Sequence, residues 1–261
     1  MKSAAASATY GAAAAAAKLY KLNADQTVAA FGVSGSQAAG SLQFLVNGAW
    51  NKRYQVGAAA MNGVVAASLA REGFIGATES VEGKHGLLVG YSDDAHPDKA
   101  VASLGNVYET MKIGVKPYPS CRYTHAAIDA LIAMRREHNL TPENIKSVEI
   151  GLHRNGITLT GDAATTRNAR SVVVVQDARL EGKSHPFGAR VSIVSGEGTL
   201  ERLIPDPSGE LSSFPDATAM QQKFLQLARP VLKERADRFA DAILSLDKFD
   251  HIDRVTSLAR L

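Results

Sequence analysis

The chain has 261 residues, 45% hydrophobic and 21% charged, which is length enough to bury a sizeable core and the composition of a globular protein. The formal charge of +3 is spread along the chain and aromatic residues make up only 6%, so a nucleic-acid surface is not expected, whereas a small anion needs only a local cluster of cations. The single cysteine excludes an internal disulfide, a Cys-only metal site and an iron–sulfur cluster held by several thiolates of this chain, and it fits a cytoplasmic setting.

In chain order, the Ala-dominated stretch Ala4–Tyr20 predicts a helix. It lacks the apolar core and cleavage pattern of a signal peptide and is too weakly hydrophobic to span a bilayer, so no membrane partner is expected. Asn23 and Gln26 have the spacing of a capping box that opens a second helix through Phe31. Val33–Leu45 and Gly57–Gly73 carry Gly, Ala and Ser where helices can approach backbone to backbone. Between them, Val46–Gly57 reads as a polar loop holding the only Trp and the adjacent cations Lys52 and Arg53. Helical spacing then weakens, with a short helix expected around Ser80 and another over Lys99–Leu104.

Lys112–Arg135 is the hinge of the chain. Pro117 and Pro119 fix two φ angles and push Lys116 and Tyr118 towards extended geometry. Thr124 is the candidate N-cap of an amphipathic helix ending near Asn139. Ser120, Cys121, Arg122 and His125 then crowd the amino end of that helix, where unpaired N–H groups and the dipole favour an anion. A lysine, an arginine and a histidine in that setting point to a carboxylate site.

Beyond it, Ile145–His153 alternates as a strand and Gly188–Ile204 as a β-hairpin around Ser195–Gly198; the two should share a sheet covered by the hinge helix. Asp206–Pro215 is a linker, and Ala217–Leu246 returns to helix with Pro230 starting or kinking its second part. The expected fold class is mixed α and α+β. A helical domain over 1–113 is followed by an α+β domain over 114–205 and by C-terminal helices over 206–261 that rejoin the helical part.

The stretches TYGAAAAAAKLYKLNADQTVAAFGVSGSQAAG, GAWNKRYQVGAAAMNGVVAASLAREGFIG, KPYPSCRYTHAAIDALIAM and KFLQLARPVLKERADRFADAILSLDKF resemble, in that order, the MmgE/PrpD family. Its members include 2-methylcitrate dehydratases, cis-aconitate decarboxylases and iminodisuccinate epimerases. The resemblance implies a large all-helical domain with a smaller α+β lid, a homodimer, no cofactor, and chemistry next to a carboxylate of a small di- or tricarboxylic acid. It also implies two departures: an absent amino-terminal stretch that supplies acidic and histidine groups in the family, and a missing segment with its joint at Val173 or Val174; either the protein is a shortened or degenerate member, or these residues are part of a longer chain.

By the same resemblance, Lys52 and Lys116 match site lysines, which would hold substrate carboxylates and stabilise enolate-like charge; the bland reading of each is a solvated surface lysine. His125 either acts in proton transfer or substrate binding, or orients the preceding loop. Cys121 stands where decarboxylases have a histidine and either lines the pocket or is a small buried apolar residue. Arg122 takes no assigned role. Ile157 falls where decarboxylases carry a tyrosine, which favours dehydration or epimerisation. Arg167 and Arg170 read as an exposed loop. His85, His96, His138, His153 and His185 have no metal-ligand spacing and read as surface or loop residues, so no metal is implied; Gly196–Gly198 falls short of a nucleotide-binding loop. The competing reading of the whole is a shortened, inactive member that binds or scaffolds a partner.

Overall fold

Alanine has the highest intrinsic helix propensity and little side-chain entropy to lose, and the Ala-rich start forms α1 (Ala5–Leu19) in a computed structural model that describes residues 5–161, 171–182 and 187–260. The chain divides into two compact units, Met1–Tyr108 and Glu109–Leu261.

In the first unit the capping box opens α2 (Ala24–Gln37) as its spacing requires. The Asn23 side chain accepts from the Gln26 amide at 2.9 Å, and the Gln26 side chain accepts from the Asn23 amide at 3.1 Å. The expected end at Phe31 is corrected: α2 runs on through Gly32, where a Cβ would come within 2.2 Å of the Ala77 backbone nitrogen. Gly32 therefore permits a close approach and does not break the helix. The expected Val33–Leu45 helix is split: residues 33–37 are the last turn of α2, and only one further turn follows, α3 (Phe44–Asn47), closed by Gly48 at φ 64°. The next helix, α4 (Asn51–Arg71), begins earlier than expected, because Lys52, Arg53 and Gln55 are good helix formers once Gly48 has made the turn. Lys52 thus rides on a helix and not on a loop.

Helices α1, α2 and α4 pack on one another around Ala16, Ala30, Ala67 and Ala70. A Cβ at Gly63 would lie 2.5 Å from Ala12 Cβ and 2.6 Å from the Thr9 carbonyl, so the α1 and α4 backbones nearly touch. Such a core gains stability from close backbone contact more than from large apolar side chains. The helix expected around Ser80 is a series of turns; the Gly residues at 83 and 86 sit in them with no room for a side chain. Helix appears instead at α5 (Leu87–Tyr91), and the short helix expected over Lys99–Leu104 forms two residues earlier as α6 (Pro97–Val101), with its proline in the first turn.

The second unit opens with the hinge segment. A 3-10 turn (Arg122–Thr124) leads into α7 (His125–Glu137). Thr124 does not cap it with its side chain: its hydroxyl is 2.8 Å from the Cys121 carbonyl and 2.8 Å from the Ser120 hydroxyl. Behind it come β1 (Ile145–Leu152), α8 (Arg154–Thr160), β2 (Val172–Gln176), β3 (Ala189–Ser195) and β4 (Gly198–Ile204). They form one sheet of order β2-β1-β3-β4, with β1 and β2 parallel and the other pairs antiparallel. Strand β1 and the β3–β4 hairpin share this sheet, and α7 covers it: Ala126, Ala127, Ala130 and Met134 pack on Leu152, Ala189, Val191 and Ile193. Strand β2 and the crossover helix α8 are additions to the sequence reading. Ile157 of α8 packs against the same core.

The opposite sheet face is charged. Arg190, 9% exposed, donates from Nε to Asp177 at 2.7 Å, and reaches Glu149 through Nη2 and Glu201 through Nη1. Arg179 holds both Asp177 oxygens, at 3.0 and 2.7 Å, and this pairing, with further help from its own backbone N–H and from Arg190, keeps the Asp177 carboxyl far below the usual range against the opposing effect of burial.

After the linker come α9 (Ala217–Leu232), capped by Asp216, and α10 (Arg235–Leu244), which pack as a hairpin, then the single turn α11 (Asp253–Thr256). Pro230 lies inside α9; the break falls at Lys233, with φ 52°.

Candidate functional site

The segment 114–125 is held by parts of the chain remote in sequence. Pro117 and Pro119 restrict its backbone. The Val115 amide donates to the Gly209 carbonyl at 2.7 Å. Gly209 has φ 89°, and a Cβ there would fall 1.9 Å from the Val115 carbonyl oxygen, so only glycine fits. The Tyr118 hydroxyl donates to Asp129 Oδ1 at 2.6 Å, while Asp129 Oδ2 accepts the Ser208 amide at 2.7 Å. Burial and the neighbouring Asp129 carboxylate push the Tyr118 phenol up to about 12.

Arg122 fastens the segment to the linker. Its Nε and Nη2 donate to Glu210 Oε1 at 3.0 and 2.5 Å, and its Nη1 donates to the Ser208 carbonyl at 2.9 Å. Nη1 also lies 3.0 Å from His125 Nδ1. A guanidinium has only donors, so Nδ1 accepts and the neutral ring carries its proton on Nε2. His125 is fully buried, and its Nε2 has no hydrogen-bond partner among the described residues. Burial pushes its pKa below the ordinary 6.5, the Arg122 and Lys116 charges push the same way, and the Ser120 carbonyl and Asp129 oppose them. The imidazole is therefore neutral near pH 7. The His125 ring also meets Tyr118 edge to face, with centroids 5.2 Å apart.

Lys116, Cys121 and His125 thus belong to one short segment of the second unit. The Lys116 side chain is exposed and donates from Nζ to the Ser120 carbonyl at 3.1 Å. Cys121 is half-buried. Lys52 belongs to the first unit, exposed in the first turn of α4. That unit also holds a cleft of about 640 Å³ lined by Tyr10, Ser36, Ser80, Lys84, His85 and Tyr91 among others. Its walls are tied by Tyr10 Oη donating to the Ser80 carbonyl at 3.0 Å and Tyr91 Oη to the Ala38 carbonyl at 3.2 Å.

His153 corrects the expectation of a surface residue. It is 7% exposed, its Nδ1 accepts the Asn155 amide at 3.1 Å to cap α8, and its Nε2 lies 3.0 Å from Glu181. The capping ring nitrogen is committed to the backbone, which makes this histidine structural. Arg167, Arg170 and His185 lie outside the described residues. Among the described residues no group of three or more His, Cys, Asp or Glu side chains is placed to hold a metal ion, and no helix is long and apolar enough to cross a membrane.

Sequence reasoning missed Glu210, Ser208 and Asp129. The proline- and glycine-containing stretch Asp206–Pro215 signalled a turn, but the arginine it grips stands eighty-eight residues before Glu210.

The model of the MmgE/PrpD N-terminal domain matches residues 3–100, and that of the MmgE/PrpD C-terminal domain matches residues 118–171. The chain belongs to the MmgE/PrpD family. The two family domains fall in the two structural units, and the C-terminal match ends at Ser171, directly before β2. The chain is similar to the cis-aconitate decarboxylase-like protein oryM of Aspergillus oryzae (strain ATCC 42149 / RIB 40), with 25% identity over 302 residues. That alignment covers 95% of this chain and 62% of the relative, so the chain spans less than two thirds of the relative's length. Because the alignment is longer than the chain, the relative carries intervening residues that this MmgE/PrpD member lacks.

Proposed function

We propose that the protein is a cofactor-independent lyase or isomerase that acts next to a carboxylate of a small di- or tricarboxylic acid, in the manner of a 2-methylcitrate dehydratase. The observation that supports this reading most is the segment 115–125, in which the exposed Lys116 ammonium is held at the Ser120 carbonyl and is followed by Cys121 and by a neutral, Nε2-protonated His125 at the amino end of α7. Membership of the family and similarity to a cis-aconitate decarboxylase-like protein support the reaction class.

In this scheme Lys52 and Lys116 hold substrate carboxylates. A base takes the proton α to one of them, the C–H pair remains as enolate-like charge, and the ammonium groups stabilise that charge. In dehydration the charge then expels a β-hydroxyl, which takes up a proton and leaves as water; in epimerisation the proton returns on the other face. His125 serves as a neutral donor or as the anchor of the loop. It is not the base, since Nε2 already carries a proton and Nδ1 is taken by Arg122. Cys121 lines the site. The protein is expected to work as a cytoplasmic homodimer.

The test is proton exchange: incubated with citrate, 2-methylcitrate or an amino dicarboxylate in D₂O, the purified protein should wash deuterium into the α-position. Absence of exchange into every such acid would count against the reaction class.

A second reading, a binding or scaffold protein, is favoured by one observation. Tyr54, Met61, Val64 and Val65 of α4 are exposed, and exposed apolar residues gathered on one helix are the kind of surface that a partner can cover. Light scattering on the purified chain would favour this reading if large assemblies formed without any proton exchange.

A further inference from the structure

Glu210 reaches His125 through a single guanidinium. Arg122 Nε and Nη2 both donate to Glu210 Oε1, and Nη1 divides its two hydrogens between the Ser208 carbonyl at 2.9 Å and His125 Nδ1 at 3.0 Å. The guanidinium is a planar fork, so the grip of Glu210 on one side fixes the direction of Nη1 on the other. Glu210 is itself held in place. The turn that carries it is closed by the Gly209 amide donating to the Ser213 carbonyl and the Ser213 amide donating to the Glu210 carbonyl, both at 3.0 Å. The Ser208 amide donates to Asp129 of α7, and the Gly209 carbonyl accepts the Val115 amide.

Which nitrogen of a neutral imidazole carries the proton is set by the hydrogen bonds the ring makes. A ring protonated on Nδ1 would turn an N–H against the N–H of Nη1, two donors facing each other, so the aimed guanidinium excludes that tautomer. No bond at the other nitrogen makes the choice. His125 Nε2 is buried without a hydrogen-bond partner among the described residues, and the nearby Ser120 carbonyl already accepts from Lys116 Nζ. The proton is therefore directed from the Nδ1 side alone.

We propose that Glu210 is a positioning residue: acting through Arg122, it holds His125 in the Nε2–H tautomer, so that the ring offers a donor and not a base. What that donor would meet, an oxygen of a small carboxylic acid, rests on the function proposed above; the control of the tautomer rests on the geometry alone. Were Glu210 only a clip between the linker and the hinge segment, its loss would cost stability and leave the proton where it is.

The experiment reads the tautomer directly. In protein carrying isotope-labelled histidine, nuclear magnetic resonance correlations of the ring nitrogens above neutral pH distinguish Nε2–H from Nδ1–H, and the His125 signals are those that vanish in His125→Gln. The wild type should show the Nε2–H form predominantly. Glu210→Ala should raise the ratio of Nδ1–H to Nε2–H about tenfold, as expected for losing a charge-assisted hydrogen bond at Nδ1. Glu210→Met, which fills the same space without an acceptor, should do the same and serves if the alanine variant fails to fold. Glu210→Gln keeps an acceptor oxygen for Nε and Nη2 and should stay close to the wild type. A wild type already in the Nδ1–H form, or an unchanged tautomer in the folded Ala or Met variant, would overturn the proposal. The readout needs no substrate, so the positioning role stands or falls apart from the deuterium exchange that tests the reaction.

Discussion

Arg122 and Glu210 form a nearly buried ion pair, with side chains 12% and 23% exposed, that ties the turn after the sheet to the segment before α7. Replacing Glu210 with Ala leaves the guanidinium in place with its main counter-charge gone. The cost should be roughly 1–3 kcal/mol, less than for a fully buried pair because some water still reaches the site. Urea unfolding should show it as a lower midpoint with an unchanged slope. Hydrogen exchange should quicken at the Val115 amide more than in the sheet.

His125 should make stability depend on pH in a defined window. Its folded pKa is depressed, chiefly by burial, so the unfolded chain binds the proton more readily. Its contribution is fully present above about 6.5 and is lost as pH falls from there through the folded value. Urea midpoints measured between pH 7.5 and 5 should fall for the wild type and stay flatter for His125→Gln.

Asp177 governs a lower window. Its carboxyl is held down first by the bond to Arg179, so its stabilisation is present above about 3.9 and is lost as pH drops below that. Asp177→Asn should cost about 2–4 kcal/mol at neutral pH, because Arg190 stays buried with less compensation. The same variant should lose part of the acid-induced destabilisation seen in the wild type.

Tyr118 should ionise late. With its phenol pushed up to about 12, any stability it gives is present below about 10 and is lost as pH rises through 12. Ultraviolet titration of the wild type should show a late-ionising phenol that is absent from Tyr118→Phe.

The features legible in the sequence are those carried by local spacing. The capping box at Asn23 and Gln26, the alternation in β1 and the β3–β4 hairpin depend on residues only a few positions apart, and each forms where its pattern lies. Strand β2 was hidden because four consecutive valines show no alternation, and a short apolar run reads equally as strand or helix. Lys52 moved from loop to helix because propensity, not the polar character of its neighbours, decides where a helix begins after Gly48. The crowding of Lys116, Cys121 and His125 into one short segment before and at the start of α7 was legible in the sequence, whereas the contacts of Glu210 and Asp129 that hold this segment were not. Those contacts cross long stretches of chain, which no local pattern records.

On the proposed reading, Lys52 and Lys116 each contribute to polycarboxylate binding. The direct measurement is the melting temperature of the wild type, Lys52→Ala and Lys116→Ala with and without citrate. A ligand that binds only the folded state at a hundred times its Kd adds about 2.7 kcal/mol of stability. Citrate should raise the wild-type melting temperature, both variants should melt near the wild type without citrate, and each should lose most of the rise. A wild type indifferent to citrate, or undiminished protection in both variants, would contradict it.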